Sequence, residues 1–145
     1  MNDNDLNISN AFQTALIAAT IRNIDTSKDI ARPNYIYNPT GKNAYLEPIF
    51  SPVESITDTK DFTGLSETGF YQINIYIPLN DKTGGTVNYN KRLLEIKGDL
   101  KYTFRPNTIL ESGGLKVIIE SITYTPPIPS DSWYQVAMTI YYNAI

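Results

Sequence analysis

Histidine and cysteine are both absent from this 145-residue chain. Without histidine it lacks the side chain most often used as a general acid or base near neutral pH, and the commonest nitrogen ligand for zinc. Without cysteine there is no disulfide framework, no thiol nucleophile and no cysteine-rich zinc site, and the chain is compatible with a reducing compartment. An excess of positive charge is also missing. Twelve Lys and Arg stand against fifteen Asp and Glu, a formal net charge of −3, which gives no overall attraction for nucleic acid or anionic lipid. No apolar run approaches the roughly 20 residues that span a bilayer, so a soluble protein without membrane contact is expected. The acidic start, Met1-Asn2-Asp3-Asn4-Asp5, is the opposite of a secretory signal. These absences leave no catalytic, cofactor or metal site to expect, and the length fits a single domain over residues 1–145.

What the chain does have is alternation. Gly69 to Pro78 is its strongest period-two stretch. Tyr71, Ile73, Ile75 and Ile77 fall on one side, and Phe70, Gln72, Asn74 and Tyr76 on the other, which predicts a strand with one face on a core. Pro78 has no N–H to continue a ladder and closes it. Aromatic rings among short amides on the second side suit a wet protein contact better than bulk water. Trp133 to Asn143 repeats the pattern: Tyr134, Val136, Met138, Ile140 and Tyr142 share one side, and Trp133, Gln135, Ala137, Thr139 and Tyr141 the other. With Leu115 to Tyr124 it predicts a hairpin joined by the proline-rich link from Thr125 to Asp131. Ala44 to Phe50 is a further strand, placed at an edge or a bulge by Pro48, and Tyr35 to Tyr37 is a short one ended by Asn38-Pro39-Thr40-Gly41.

Helical spacing occurs twice. Ile8, Ala11, Phe12, Ala15, Leu16 and Ala19 predict a helix from about Asn7 to Ile24, with Asn7 or Ser9 as cap and its alanines allowing close approach to a sheet. Asp25 to Asn34 reads as loop. Val87, Leu93, Leu94, Ile96, Leu100 and Phe104 predict a second helix from about Thr86 to Tyr102, with Lys91, Arg92, Glu95, Lys97 and Asp99 as a solvated face of mixed sign. Between the sheet elements lies a long polar loop at about 51–68, with Val53, Ile56, Phe62 and Leu65 as its scattered apolar residues. Polar length of this kind predicts an arm that orders on a partner, with Phe62 and Leu65 as anchors, over the alternative of a long surface hairpin loop. The whole reads as an α+β domain: a mostly antiparallel sheet, two helices on one face, and a second face bearing Phe70, Tyr76, Trp133 and Tyr141 for contact.

Four chemical signals are better explained without chemistry. Gly84-Gly85-Thr86 lacks the rest of a phosphate loop and its lysine, and reads as a turn. Asp58, Asp61 and Glu67 fit no calcium-loop spacing. Ser112-Gly113-Gly114 has no base to activate the serine and reads as the turn into the next strand. Lys91, Arg92, Lys97 and Lys101 have acidic neighbours and no interleaved aromatics, so a solvated helix face is expected over a nucleic-acid contact.

The order helix, proline-interrupted strand, long polar loop, Gly69-Phe70-Tyr71-Gln72-Ile73-Asn74-Ile75-Tyr76, helix, then a hairpin ending in Trp133-Tyr134-Gln135-Val136-Ala137-Met138-Thr139-Ile140-Tyr141-Tyr142 resembles the tail-terminator family of long-tailed bacteriophages. The resemblance spans about Ile8 to Tyr142. It implies a structural protein of the virion, assembled in the host cytoplasm, that forms a ring with its own copies, usually six. Such a ring caps the tail tube, stops addition of the major tail tube protein, and presents a surface to the head-completion or neck protein, while DNA passes through the lumen without sequence-specific binding. A neck or head-completion connector would share this assembly behaviour. A small ligand-binding or hydrolytic domain is the reading from another class, and would show a deep polar pocket with convergent ionisable groups.

Overall fold

The computed structural model describes residues 4–32, 44–51, 56–58, 65–78, 82–83, 86–87, 89–130 and 133–145. Helix α1 spans Asn4–Ala18 and is followed by strand β1, Tyr45–Ser51. Strand β2 is Ile56–Asp58, and β3 is Leu65–Pro78. A small hairpin of β4, Lys82–Thr83, and β5, Thr86–Val87, leads into α2, Tyr89–Thr103. Four strands close the described chain: β6 Ile109–Ser112, β7 Leu115–Tyr124, β8 Ile128–Ser130 and β9 Trp133–Ala144.

The main sheet runs β1-β3-β9-β7-β6, every neighbouring pair antiparallel, with β2 added to β3 and β8 to β9. β3 and β9 form its spine and are paired from Glu67↔Ala144 to Pro78↔Trp133. The alternation read from the sequence is the alternation of the two faces. Tyr71, Ile73, Ile75 and Ile77 meet Val136, Met138, Ile140 and Tyr142 in a core that also takes Leu46, Val117 and Ile119. Both helices cover that face. α1 delivers Ile8, Ala11, Phe12 and Leu16, and α2 delivers Leu93, Ile96 and Leu100, with Phe104 just past its end. Phe12 is the keystone: its ring stacks on Tyr71 at 4.3 Å, meets Tyr142 edge-on at 5.5 Å, and lies 5.9 Å from Phe104. Offset and edge contacts of this kind add about 0.5–1.5 kcal/mol to the apolar burial itself.

Pro48 lies in β1, as its edge position requires. Leu46, two residues earlier and therefore facing the same way, turns its N–H and C=O outward to Asp29 O and Ala31 N. The ring nitrogen of Pro48 thus faces the open side of the sheet, where no ladder bond is lost. The loop after α1 covers the exposed groups of Leu46, and its Ile30 forms a parallel bridge there.

Several boundaries differ from the sequence reading. α1 stops at Ala18 rather than Ile24, because the Thr26 hydroxyl donates to the carbonyls of Ile17 and Ala19 and Asn23 adopts φ 70°. The helix begins at Asn4 rather than about Asn7, so Asn7 and Ser9 both lie inside it and neither caps it. α2 begins at Tyr89 rather than Thr86, since Thr86 and Val87 pair with Lys82 and Thr83. Leu94, counted among the apolar residues of that helix, is 57% exposed, one position off the buried stripe. Part of the polar stretch 51–68 is paired strand: Ile56, Thr57 and Asp58 lie opposite Glu67, Ser66 and Leu65. β6 and β8 were not read from the sequence. The Tyr35–Tyr37 strand lies outside the described residues.

Candidate functional site

The outer face of the sheet is built by the even positions of β3, the odd positions of β9, and Tyr45, Glu47 and Ile49 of β1. The register stacks these into rows: Tyr45, Tyr76 and Gln135; then Glu47, Asn74 and Ala137; then Ile49, Gln72 and Thr139; then Phe70 and Tyr141. All four aromatics picked out for contact lie on this face. They form two groups rather than one. Tyr76 stacks on Tyr45 at 4.7 Å, and Trp133 meets Tyr45 edge-on at 5.2 Å. Phe70 and Tyr141 form a separate pair with ring centroids 6.4 Å apart. Six rises along the strand, about 20 Å at ~3.3 Å each, separate Phe70 from Tyr76.

A polar relay fills the space between the two groups. Gln72 Nε2 donates to Asn74 Oδ1 at 2.8 Å, and Asn74 Nδ2 donates to Glu47 Oε1 at 3.1 Å. The Tyr76 hydroxyl donates to the same oxygen at 3.2 Å. Asn74 is only 5% exposed, so these bonds replace the water it has given up. Burial, reinforced by the Glu47 charge, pushes the Tyr76 hydroxyl up to about 12. The same two causes, in the same order, raise Tyr45. Both hydroxyls remain protonated at neutral pH.

This arrangement has the composition of a surface that grips a partner. The Glu47 carboxylate is engaged by an amide and a phenol. Among the described residues, no group of three or more acids is placed to hold a metal ion. No helix among them is long and apolar enough to cross a membrane.

The family model of the phage tail terminator protein matches residues 7–142. The chain belongs to that family. It is a structural protein of the bacteriophage tail, and so a component of the virion. No curated protein matches it. One solved structure, 21% identical, covers 100% of this chain and 96% of its own at a TM-score of 0.68, and so shares the α+β fold.

Of the six residues singled out for contact, Phe70, Tyr76 and Trp133 are half-buried and Tyr141 is 41% exposed. Leu65 opens β3 opposite Asp58. Phe62 lies outside the described residues. Tyr45 and Glu47 were missed. The strand containing them had been placed correctly, and counting alternate positions from buried Leu46 would have put both on the outer face.

Proposed function

We propose that this terminator-family chain closes the tail tube as a ring of its own copies, six by the usual number of the family, and so ends tube elongation. One rim of the ring binds the last ring of tube protein, and the other receives the head-completion or neck protein. DNA crosses the lumen without being read. The observation that carries this reading is the family match across residues 7–142 of the 145. The outer sheet face supports it, because aromatic residues around short amides, with Glu47 as the carboxylate of the central rows, have the composition of an interface core.

Phe70, Tyr76, Trp133 and Tyr141 are proposed as anchors in contacts with tube protein or with neighbouring copies, where a few aromatic residues carry most of the binding energy. Capping needs no catalysis. It requires only that the ring binds the tube end better than the next tube subunit does, and each 1.4 kcal/mol of that preference is about tenfold in occupancy. Purified protein added to tube protein during polymerisation should shorten the tubes in proportion to its concentration and appear as density at one tube end. Tubes of unchanged length with bare ends would refute capping.

A further inference from the structure

Gly98 has no explanation inside its own subunit. It lies in the interior of α2, where glycine is the poorest helix former after proline. A Cβ added there would meet only Arg22 Nη2, at 3.9 Å, so no close packing among the described residues calls for glycine. Glycine at such a point suits close approach from outside. Gly98 is exposed, and so are Leu94 and Tyr102, one turn before it and one turn after it on the same side of the helix. Leu94 at 57% and Tyr102 at 70% exposure wall a shallow saddle whose floor is Gly98. The Arg105 guanidinium lies 4.7 Å over the Tyr102 ring and donates to the Tyr102 carbonyl at 2.9 Å, which steadies the second wall.

The charge along this side is positive. Lys91 and Lys101 are exposed on it. The acids of the helix are held elsewhere, because Arg22 pairs with Asp99 at 3.0 Å and with Glu95 at 3.3 Å.

The open face of the sheet carries the opposite relief and the opposite charge. β7 is bulged between Ile119, which pairs with Tyr142, and Ser121, which pairs with Tyr141, so Glu120 and Ser121 both stand opposite Tyr141. Ile119 is buried and Ile122 packs on the core, while Glu120 and Ser121 are exposed. The extra residue therefore sets a carboxylate on the outer face beside the Tyr141 ring, which is itself 41% exposed. Leu110 and Val117 are paired on the core side, which leaves Ile109 with Ile118, and Glu111 with Lys116, on the outer side. Among the described residues, the charged groups of this face are Glu47, Glu111, Glu120 and Lys116, three acids against one base.

The order of the charges agrees as well. Lys101 is three residues from Gly98 and Lys91 is seven, about 5 and 10 Å along a helix. Glu120 is one strand over from Tyr141, about 5 Å, and Glu111 lies opposite Lys116, a further ~13 Å along β7. On each surface one charge adjoins the centre and a second follows beyond it.

We infer that the saddle at Gly98 receives the Tyr141 ring of a neighbouring copy, with Lys101 against Glu120 and Lys91 against Glu111. This deepens the ring reading above and rests on it. The helices and the open sheet face are opposite sides of one subunit, so the contact joins two unlike surfaces, the head-to-tail kind from which rings are made. It also gives the uncovered sheet face a helix layer. A nucleic-acid backbone would use the cations and leave the saddle empty.

Gly98→Leu fills the saddle and separates the two roles a glycine can have. If a neighbour needs it, melting is unchanged or raised through better helix propensity, while binding to uncapped tube ends falls at least about tenfold. Lys101→Glu and Glu120→Lys change two exposed residues that form no ion pair among the described residues. Each should fold, by circular dichroism and melting, and weaken the same binding. An equal mixture of the two restores opposite charge at every junction of an alternating ring, and capping should return. The inference is overturned if Gly98→Leu caps normally or melts earlier, the latter marking a glycine kept for the subunit's own fold, or if the mixture does not recover. It is also overturned if Lys101→Glu keeps its capping and loses only affinity for a DNA duplex. Failure of the unaltered protein to cap tubes would instead remove the ring reading and this contact with it.

Discussion

Tyr141 and Trp133 lie on the same sheet face but are not equivalent probes of it. Tyr141 is 41% exposed and its nearest aromatic partner is Phe70. Replacing it with serine removes area from the proposed interface without opening the core, so the monomer should melt within about 0.5 kcal/mol of the unaltered protein while assembly weakens. Trp133 braces Tyr45 edge-on, and Trp133→Ala should cost the fold about 1 kcal/mol as well as weakening assembly. Normal assembly by both variants, measured by light scattering and by binding to tubes, would remove this face from the interface. Gly69 makes a different demand. It lies directly opposite Tyr142, and a Cβ there would sit 2.6 Å from the Tyr142 hydroxyl and 3.0 Å from its ring carbon Cζ. The buried tyrosine crosses the strand where there is no side chain to meet it. Gly69→Ala should lower stability by about 1–3 kcal/mol in denaturant titration, through overpacking rather than strand propensity. An unchanged midpoint would show that Tyr142 can move aside.

Between elements, the clamp from Arg22 to α2 gives stability a dependence on acid. Hydrogen bonds from Arg22 hold the Asp99 carboxyl below its ordinary value, outweighing the opposing effect of burial. A depressed carboxyl contributes stability that is fully present above its unfolded value of about 4 and is lost as pH falls through the lower folded value. Asp99→Asn should therefore be less stable at neutral pH and show a shallower loss of stability below about pH 4, in denaturant titrations run across pH. Parallel curves for the two proteins would mean that the clamp carries no net free energy. How much of this was readable from sequence depended on whether the signal was local. The faces of β3 and β9 were, because a side-chain period of two fixes them without knowledge of any neighbour. The end of α1 was not, because it is set by Thr26 reaching back seven and nine residues and by Arg22 reaching Asp99 across the fold. The β6 strand, Ile109–Ser112, was hidden by its length of four residues and by exposure of Ile109. The turn after it was legible. Gly113 and Gly114, with φ 58° and 80°, take the two positive values that a two-residue hairpin with this twist needs. On the outer face, the aromatic members were visible as alternate positions, whereas the division into two groups around Glu47 and Asn74 depends on the register of β1 with β3, which no local pattern encodes.

For the whole molecule, the division of labour is between its two faces. One side of the sheet is sealed by α1 and α2 around Phe12, which stabilises the subunit on its own. The other presents aromatic residues and an amide relay. Aromatic residues around short amides on the face left open are what the proposed ring and tube contacts would draw on. The most direct test is the distribution of tail lengths in a phage that lacks this protein, measured by electron microscopy of lysates. Capping predicts tails that are overlong or irregular and unattached, alongside heads that have packaged DNA normally. Tails of uniform, normal length that fail only to join heads would contradict it and assign the protein to the neck, and normal virions would exclude both roles.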